Sequence, residues 1–136
     1  MEPDQSATIL LVEDDPLTRI ATAEDLRCVG YAVVEARNAS EAVEVLASRC
    51  VMVHLVFTDL QMDGPLDGLG LLGWIKENKP AMPVAAVSGS DRALAKARAF
   101  CPAELTFSKP CDIDRVVAAF RRCLGDGPFK QAEATA

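Results

Sequence analysis

The sequence predicts an α/β domain built on one five-stranded parallel sheet with helices on both faces. Three observations predict it. Apolar runs and helical patterns alternate five times along the chain, the spacing that feeds strand–helix–strand units into a parallel sheet. The runs "ILLV", "LVF" and "VAAV" are continuously apolar, as strands covered on both faces require. A length of 136 residues suits a single domain with one sheet-centred core.

Each element has its own signal. "ATILLV" (7–12) is a short apolar strand. "PLTRIATAEDLRCVG" (16–30) is helical, with Asp15 as N-cap, Pro16 at the first helical position and Gly30 as the stop. "YAVVEA" (31–36) reads as the second strand. "NASEAVEVLASR" (38–49) opens with Asn38 and Glu41 at capping-box spacing. "MVHLVFTD" (52–59) is the third strand, and "LDGLGLLGWIKEN" (66–78) is helical despite its glycines. "PVAAVS" (83–88) is the fourth strand, "SDRALAKARAF" (90–100) a short helix and "AELTFS" (103–108) a weak fifth strand. "DIDRVVAAFRRCLG" (112–125) is a helix capped by Asp112 and stopped by Gly125. The expected organisation is an N-terminal tail (1–6), one domain (7–124) and a frayed C-terminal tail (125–136).

Composition excludes several functions. Half the residues are hydrophobic and a quarter charged, with a net charge of −6, so attraction to nucleic acid or an anionic membrane is not expected. The five cysteines (28, 50, 101, 111 and 123) are odd in number and scattered, with no C-x-x-C. That argues for reduced thiols in a cytoplasmic protein, and those near helix ends read as small apolar fillers. "MEPDQSAT" lacks the basic and apolar regions of a signal peptide. No apolar run is long enough to span a bilayer.

In open parallel sheets, ligands bind beyond the carboxyl ends of the strands. The first strand ends in Glu13, Asp14 and Asp15, the third in Asp59, the fourth in Ser88 within "SGSD", and the fifth in Lys109-Pro110. Were the first and third strands neighbours, about 4.8 Å apart, Glu13, Asp14 and Asp59 would share one pocket. Carboxylates that close repel unless a cation intervenes. Lys109 supplies one positive charge, and Mg²⁺ best supplies the rest, because it accepts carboxylates, waters and phosphoryl oxygens. An aspartate beside Mg²⁺, a lysine and a hydroxyl is equipped to attack phosphorus and carry the transferred group.

From about Ala7 to Leu124 the chain resembles the receiver domain of two-component response regulators, of the chemotaxis-regulator type. (Such a regulator is among the sheets on which the strand-end rule rests.) Four motifs carry the resemblance: "VEDD" after the first strand, "TDLQM…DG" at the end of the third, "VSG" after the fourth and "KP" after the fifth. The resemblance implies a flavodoxin-like (βα)₅ fold with strand order 2-1-3-4-5. It makes Asp59 the phosphoacceptor, with Mg²⁺ held by Glu13, Asp14, Asp59 and the backbone carbonyl of Gln61. Ser88 and Lys109 would bind the phosphoryl group, and Gln61 and Ser90 would tune its lifetime. The donor would be a histidine kinase or histidine phosphotransfer protein, and output would pass to a protein partner through the fourth and fifth helices. Such a chain is a signalling switch that assists its own phosphorylation and dephosphorylation. Two departures stand out. The turn "QMDGPLDG" is one residue longer than the common spacing, and the family's aromatic position three residues before the lysine holds Thr106, with Phe107 beside it.

The same residues also have plainer readings. Asp15 is sufficiently explained as a cap, and Asp63 and Asp67 as turn formers. Three consecutive acids exceed what a cap needs. Ser88 or Lys109 alone would be an ordinary turn or surface residue; position gives them weight. His54 lies five residues before Asp59, roughly 16 Å along a strand, so it is structural, and Trp74 is packing. Arg92, Lys96, Arg98, Arg115, Arg121 and Arg122 suit a solvated face, or the output surface that the resemblance implies. Competing functions are a degenerate receiver that binds partners without phosphorylation and an aspartyl-phosphate phosphohydrolase. The second usually needs an Asp two residues after the nucleophile, where Gln61 stands. A nucleotide-binding domain lacks both G-x-x-x-x-G-K-[ST] and G-x-G-x-x-G here.

Overall fold

The computed structural model describes residues 6–62 and 66–125. Five strands form one parallel sheet in the order β2-β1-β3-β4-β5. In chain order the elements are β1 (Thr8–Val12), α1 (Pro16–Cys28), β2 (Ala32–Ala36), α2 (Ala39–Ala47), β3 (Leu55–Asp59), α3 (Gly68–Asn78), β4 (Val84–Ser88), α4 (Asp91–Ala97), a 3₁₀ turn (Ala103–Leu105), β5 (Thr106–Ser108) and α5 (Ile113–Leu124). Sequence pattern and structure agree on all five strands and all five α-helices; the 3₁₀ turn lies in a segment expected as strand.

The three central strands β1, β3 and β4 are buried at every position, which is why their sequences run apolar without alternation. Alternate side chains of these strands feed two cores. Leu10, Val12, Val56 and Ala86 pack toward α2, α3 and α4. Ile9, Leu11, Leu55, Phe57, Ala85 and Val87 pack toward α1 and α5. In the second core Phe120 meets Phe57 edge-on at 5.3 Å between ring centroids, a geometry that the ring quadrupoles favour. Trp74 is half-buried against the first core, in keeping with a packing role.

The caps follow the sequence. Asp15 accepts from the Thr18 amide with Pro16 in the first turn, Asp67 accepts from the Gly70 amide, and Asp112 accepts from the Asp114 amide. Asn38 accepts from the Glu41 amide. The return half of that capping box is displaced by one residue, because Glu41 accepts from the backbone amide of Arg37 and pairs with the Arg37 guanidinium at 2.7 Å. Gly30 and Gly125 take positive φ, +108° and +80°, and so let the chain leave α1 and α5 without Cβ strain.

Three boundaries differ from the sequence pattern by three residues each. β3 begins at Leu55, not at 52, because His54 turns its own ring to the sheet: Nδ1 accepts from the Thr8 amide at 2.9 Å, and its amide donates to the Thr8 carbonyl. His54 is therefore structural. α4 stops at Ala97, where the amides of Ala99 and Phe100 turn back three residues to Lys96 and Ala97. The segment expected as a strand from 103 begins as a 3₁₀ turn, since the Thr106 hydroxyl donates to the Ala103 carbonyl, and only 106–108 pair with β4. The cysteines also differ from expectation. Cys101 is a buried filler, but Cys28, Cys50, Cys111 and Cys123 are exposed.

Candidate functional site

The parallel sheet brings four strand ends to one rim. β1 and β3 are direct neighbours, with Val12 paired to Thr58, so the acids that follow β1 stand beside Asp59. One ligand oxygen each from Glu13, Asp14 and Asp59 lies within 4.8 Å of the others. Asp59 and Glu13 are almost wholly buried, at 3% and 5% exposure, while Asp14 is open to solvent. β4 contributes Ser88, fully buried. The loop after β5 contributes Lys109, whose amide donates to the Ser88 carbonyl. The Lys109–Pro110 peptide is cis.

Charge sets the contacts. The Lys109 ammonium donates to Asp59 Oδ2 at 2.6 Å and stands 4.0 Å from Glu13 Oε1. Burial disfavours that ammonium, but the Asp59 hydrogen bond and the charges of Asp59, Glu13 and Asp14 outweigh it, and its pKa is held above the ordinary value. The second Asp59 oxygen accepts from the Gln61 amide at 2.8 Å. Burial, with Asp59 alongside, pushes the Glu13 carboxyl up to about 7 against the Asp15 amide that hydrogen-bonds it. One lysine therefore does not neutralise this rim.

That imbalance tests the fit of a cation. Two buried carboxylates and one exposed carboxylate converge within reach of a single ion. Mg²⁺ favours such a set, because it takes a few carboxylates and fills its remaining positions with water or phosphoryl oxygen. The open side at Asp14 leaves room for those ligands, so the donor set fits.

The sequence-predicted residues thus fall together at the rim. Ser88 Oγ accepts from the Ser90 amide at 3.0 Å, and Ser90 in turn caps α4 through the Ala93 amide. Gln61 Oε1 accepts from the Gly89 amide at 3.2 Å, bridging the loops after β3 and β4. Part of the long turn, residues 63–65 with Asp63, lies outside the described residues. The aromatic position resolves into a difference. Phe107 packs edge-on against Phe57 in the α1–α5 core, 6.1 Å between centroids. Successive strand residues face opposite sides, so Phe107 does not stand in for an aromatic at position 106.

Three features escape the linear motifs. Gly68 lies against the site's own backbone: a Cβ there would come within 2.4 Å of Leu60 Cα and 2.7 Å of the Asp59 carbonyl oxygen. Its only sequence signal is a glycine directly after the Asp67 cap. Leu17 and Ile20 of α1 are 79% and 50% exposed beside the acidic loop. Their signal is apolar character out of phase with the buried face, which carries Ala23 and Leu26. A cavity of about 100 Å³ beside the site is lined by Glu13, Asp59 and Lys109 together with Thr22, Asp25 and Cys111.

Comparison with known proteins identifies the arrangement. The profile of the response regulator receiver domain matches residues 9–121. The chain belongs to the response regulator receiver family. Receiver domains are signalling switches of two-component systems, and this receiver is 35% identical over 118 residues to the nitrogen assimilation regulatory protein NtrX of Azorhizobium caulinodans, covering 85% of the chain and 26% of NtrX. It is 31% identical over 121 residues to the DNA-binding transcriptional regulator NtrC of Escherichia coli, covering 88% and 25%. The chain thus spans about a quarter of the length of these relatives. Among solved structures, it superposes on the receiver domain of NtrX from Brucella abortus with a TM-score of 0.74 at 31% identity, covering 85% of this chain and 97% of that one. The signal receiver domain of an HD domain-containing protein from Pseudomonas fluorescens gives 0.76 at 28%, covering 88% and 94%. Among the described residues no helix is long and apolar enough to cross a membrane.

Proposed function

We propose that this receiver accepts a phosphoryl group on Asp59 from the phosphohistidine of a histidine kinase or phosphotransfer protein and thereby switches its binding to a protein partner. The observation that carries the reading is the Asp59 carboxylate itself, buried and held by Lys109 at 2.6 Å beside two further acids. An Asp59 oxygen attacks phosphorus, the phosphorus–nitrogen bond to the donor imidazole breaks, and the electron pair leaves with the imidazole. Lys109, just after β5, and the Ser88 hydroxyl at the end of β4 would bind oxygens of the transferred group. Glu13, Asp14, Asp59 and the Gln61 carbonyl would hold Mg²⁺, which when bound neutralises charge gathering on the phosphoryl oxygens. Gln61 and Ser90, which flank the rim, would set how readily water reaches the product. The exposed Leu17 and Ile20 offer apolar surface for the donor next to the acceptor.

The domain would span 7–124, with tails at 1–6 and 125–136, and act in the cytoplasm. Output would leave through α4 and α5, where Arg92, Lys96, Arg115, Arg121 and Arg122, with Arg98 just past the end of α4, are all exposed and, among the described residues, take no ion pair. That charge favours an acidic partner surface.

The test is incubation of the protein and its Asp59→Asn variant with acetyl phosphate, with and without Mg²⁺, followed by intact mass. The expected result is one phosphoryl adduct, on the wild type only and only with Mg²⁺. An equal adduct on the variant would overturn the assignment of Asp59. No adduct on either would favour a receiver that works without phosphorylation.

A further inference from the structure

We propose that Arg19 is a positioning residue for the acidic pair, holding the peptide between Glu13 and Asp14 at the angle that cation binding requires; this rests on the Mg²⁺ reading above. Arg19 stands on α1 with its side chain only 14% exposed. One guanidinium nitrogen donates to the backbone carbonyl of Glu13 at 3.0 Å. Its Nε donates to Glu35 on β2 at 3.3 Å. Glu35 is in turn paired with Arg27 at 3.3 Å, whose other contact is the Val33 carbonyl at 2.9 Å. Arg19 is thus fixed at both ends of its fork, which a planar guanidinium allows and an ammonium does not.

The peptide that Arg19 grips matters. The amide of Glu13 donates to the Ala36 carbonyl at 3.1 Å, so the peptide before Glu13 is held by the sheet. The carbonyl of Glu13 opens the next peptide, where the sheet has ended and, among the described residues, only Arg19 donates to it. That peptide sets where the Asp14 side chain emerges. Among the described residues, the Asp14 carboxylate accepts no hydrogen bond of its own, whereas Glu13 is held by the Asp15 amide and by Lys109. Asp14 therefore depends on its backbone for direction. Placing a free cation beside three acids would compete with a metal, and here Glu35 absorbs that charge on the side away from the rim. Arg19 thus orients one metal-binding acid through the main chain while adding little net charge. Groups that orient metal ligands in this way typically set metal affinity within one to two orders of magnitude.

The experiment is titration calorimetry of Mg²⁺ against the wild type and the Arg19→Gln, Arg19→Lys and Glu35→Gln variants, well below each melting temperature. Phosphoryl uptake from acetyl phosphate is measured in parallel at saturating Mg²⁺. Arg19→Gln is expected to weaken Mg²⁺ by about ten-fold and to leave uptake at saturating Mg²⁺ near the wild-type rate. Arg19→Lys should recover only part of the loss, because one ammonium cannot span Glu13 and Glu35. Glu35→Gln, which keeps the bond to the Glu13 carbonyl, should change affinity least. A folded Arg19→Gln protein with wild-type affinity overturns the proposal; if that variant does not fold, wild-type affinity in Arg19→Lys overturns it. Absence of Mg²⁺ binding by the wild type would instead overturn the metal reading, and this proposal with it.

Discussion

Replacing Glu13 with Gln should stabilise the metal-free protein at alkaline pH and leave it nearly unchanged under mild acid. Burial, with the Asp59 charge beside it, raises the Glu13 carboxyl from 4.5 to about 7. Between those two values the folded state holds a proton that the unfolded state has released. Stability contributed by the neutral carboxyl is therefore full below about 4.5, falls as pH rises through about 7, and is lost above it. At about 1.36 kcal/mol per pKa unit, the loss between about pH 5 and about pH 8 is about 2–3 kcal/mol. Gln is neutral at both ends and keeps an oxygen for the Asp15 amide and an N–H for Asp59. Urea melts in the presence of a chelator measure the effect. With m of about 1–3 kcal/mol/M, the midpoint of the variant should exceed that of the wild type by roughly 1 to 2 M at the alkaline end. Taking the difference between the two proteins cancels the groups that Glu13 does not touch and leaves Glu13 with its partners Asp59 and Lys109. A difference that stays constant across the pH range would refute the claim that Glu13 is strained by its buried, acidic surroundings.

Other perturbations separate site from scaffold. Gly68→Ala drives a Cβ into the Leu60 and Asp59 backbone, so it should cost about 3 kcal/mol and lower phosphoryl uptake. Gly73→Ala, whose Cβ would meet only Phe100 at 3.9 Å, should raise stability by about 0.5–1 kcal/mol; thermal melts of the two proteins check the contrast. Asn38→Ala removes the cap of α2 and should cost about 1 kcal/mol in chemical denaturation. Phe120→Ala empties a fully buried site beside Phe57 and Tyr31 and should cost about 3–5 kcal/mol, enough to broaden the amide spectrum of a small domain.

What could be read from the chain was the chemistry fixed by local sequence. Asp15-Pro16, Asn38 and Asp112 announce helix starts because a short polar side chain and a preset φ act within one turn. The apolar runs of β1, β3 and β4 announce burial because no polar residue interrupts them. The acids, Ser88 and Lys109 were legible because strand ends in a parallel sheet share one rim. What stayed hidden depends on contacts distant in sequence. The start of β3 is set by His54 meeting Thr8 across 46 residues. The 3₁₀ turn before β5 depends on the Thr106 hydroxyl choosing a backbone partner over a strand neighbour. The close approach of Gly68, the fork of Arg19 and the exposure of four cysteines arise only once helices are laid on the sheet.

The Gly68 contact has a mechanical consequence. Side chains absorb small displacements by changing rotamer, but main chain pressed on main chain has no such give. The first turn of α3 rests directly on the peptide that follows Asp59. A displacement of that peptide would therefore press on the start of α3 directly, with no side chain between them to take it up.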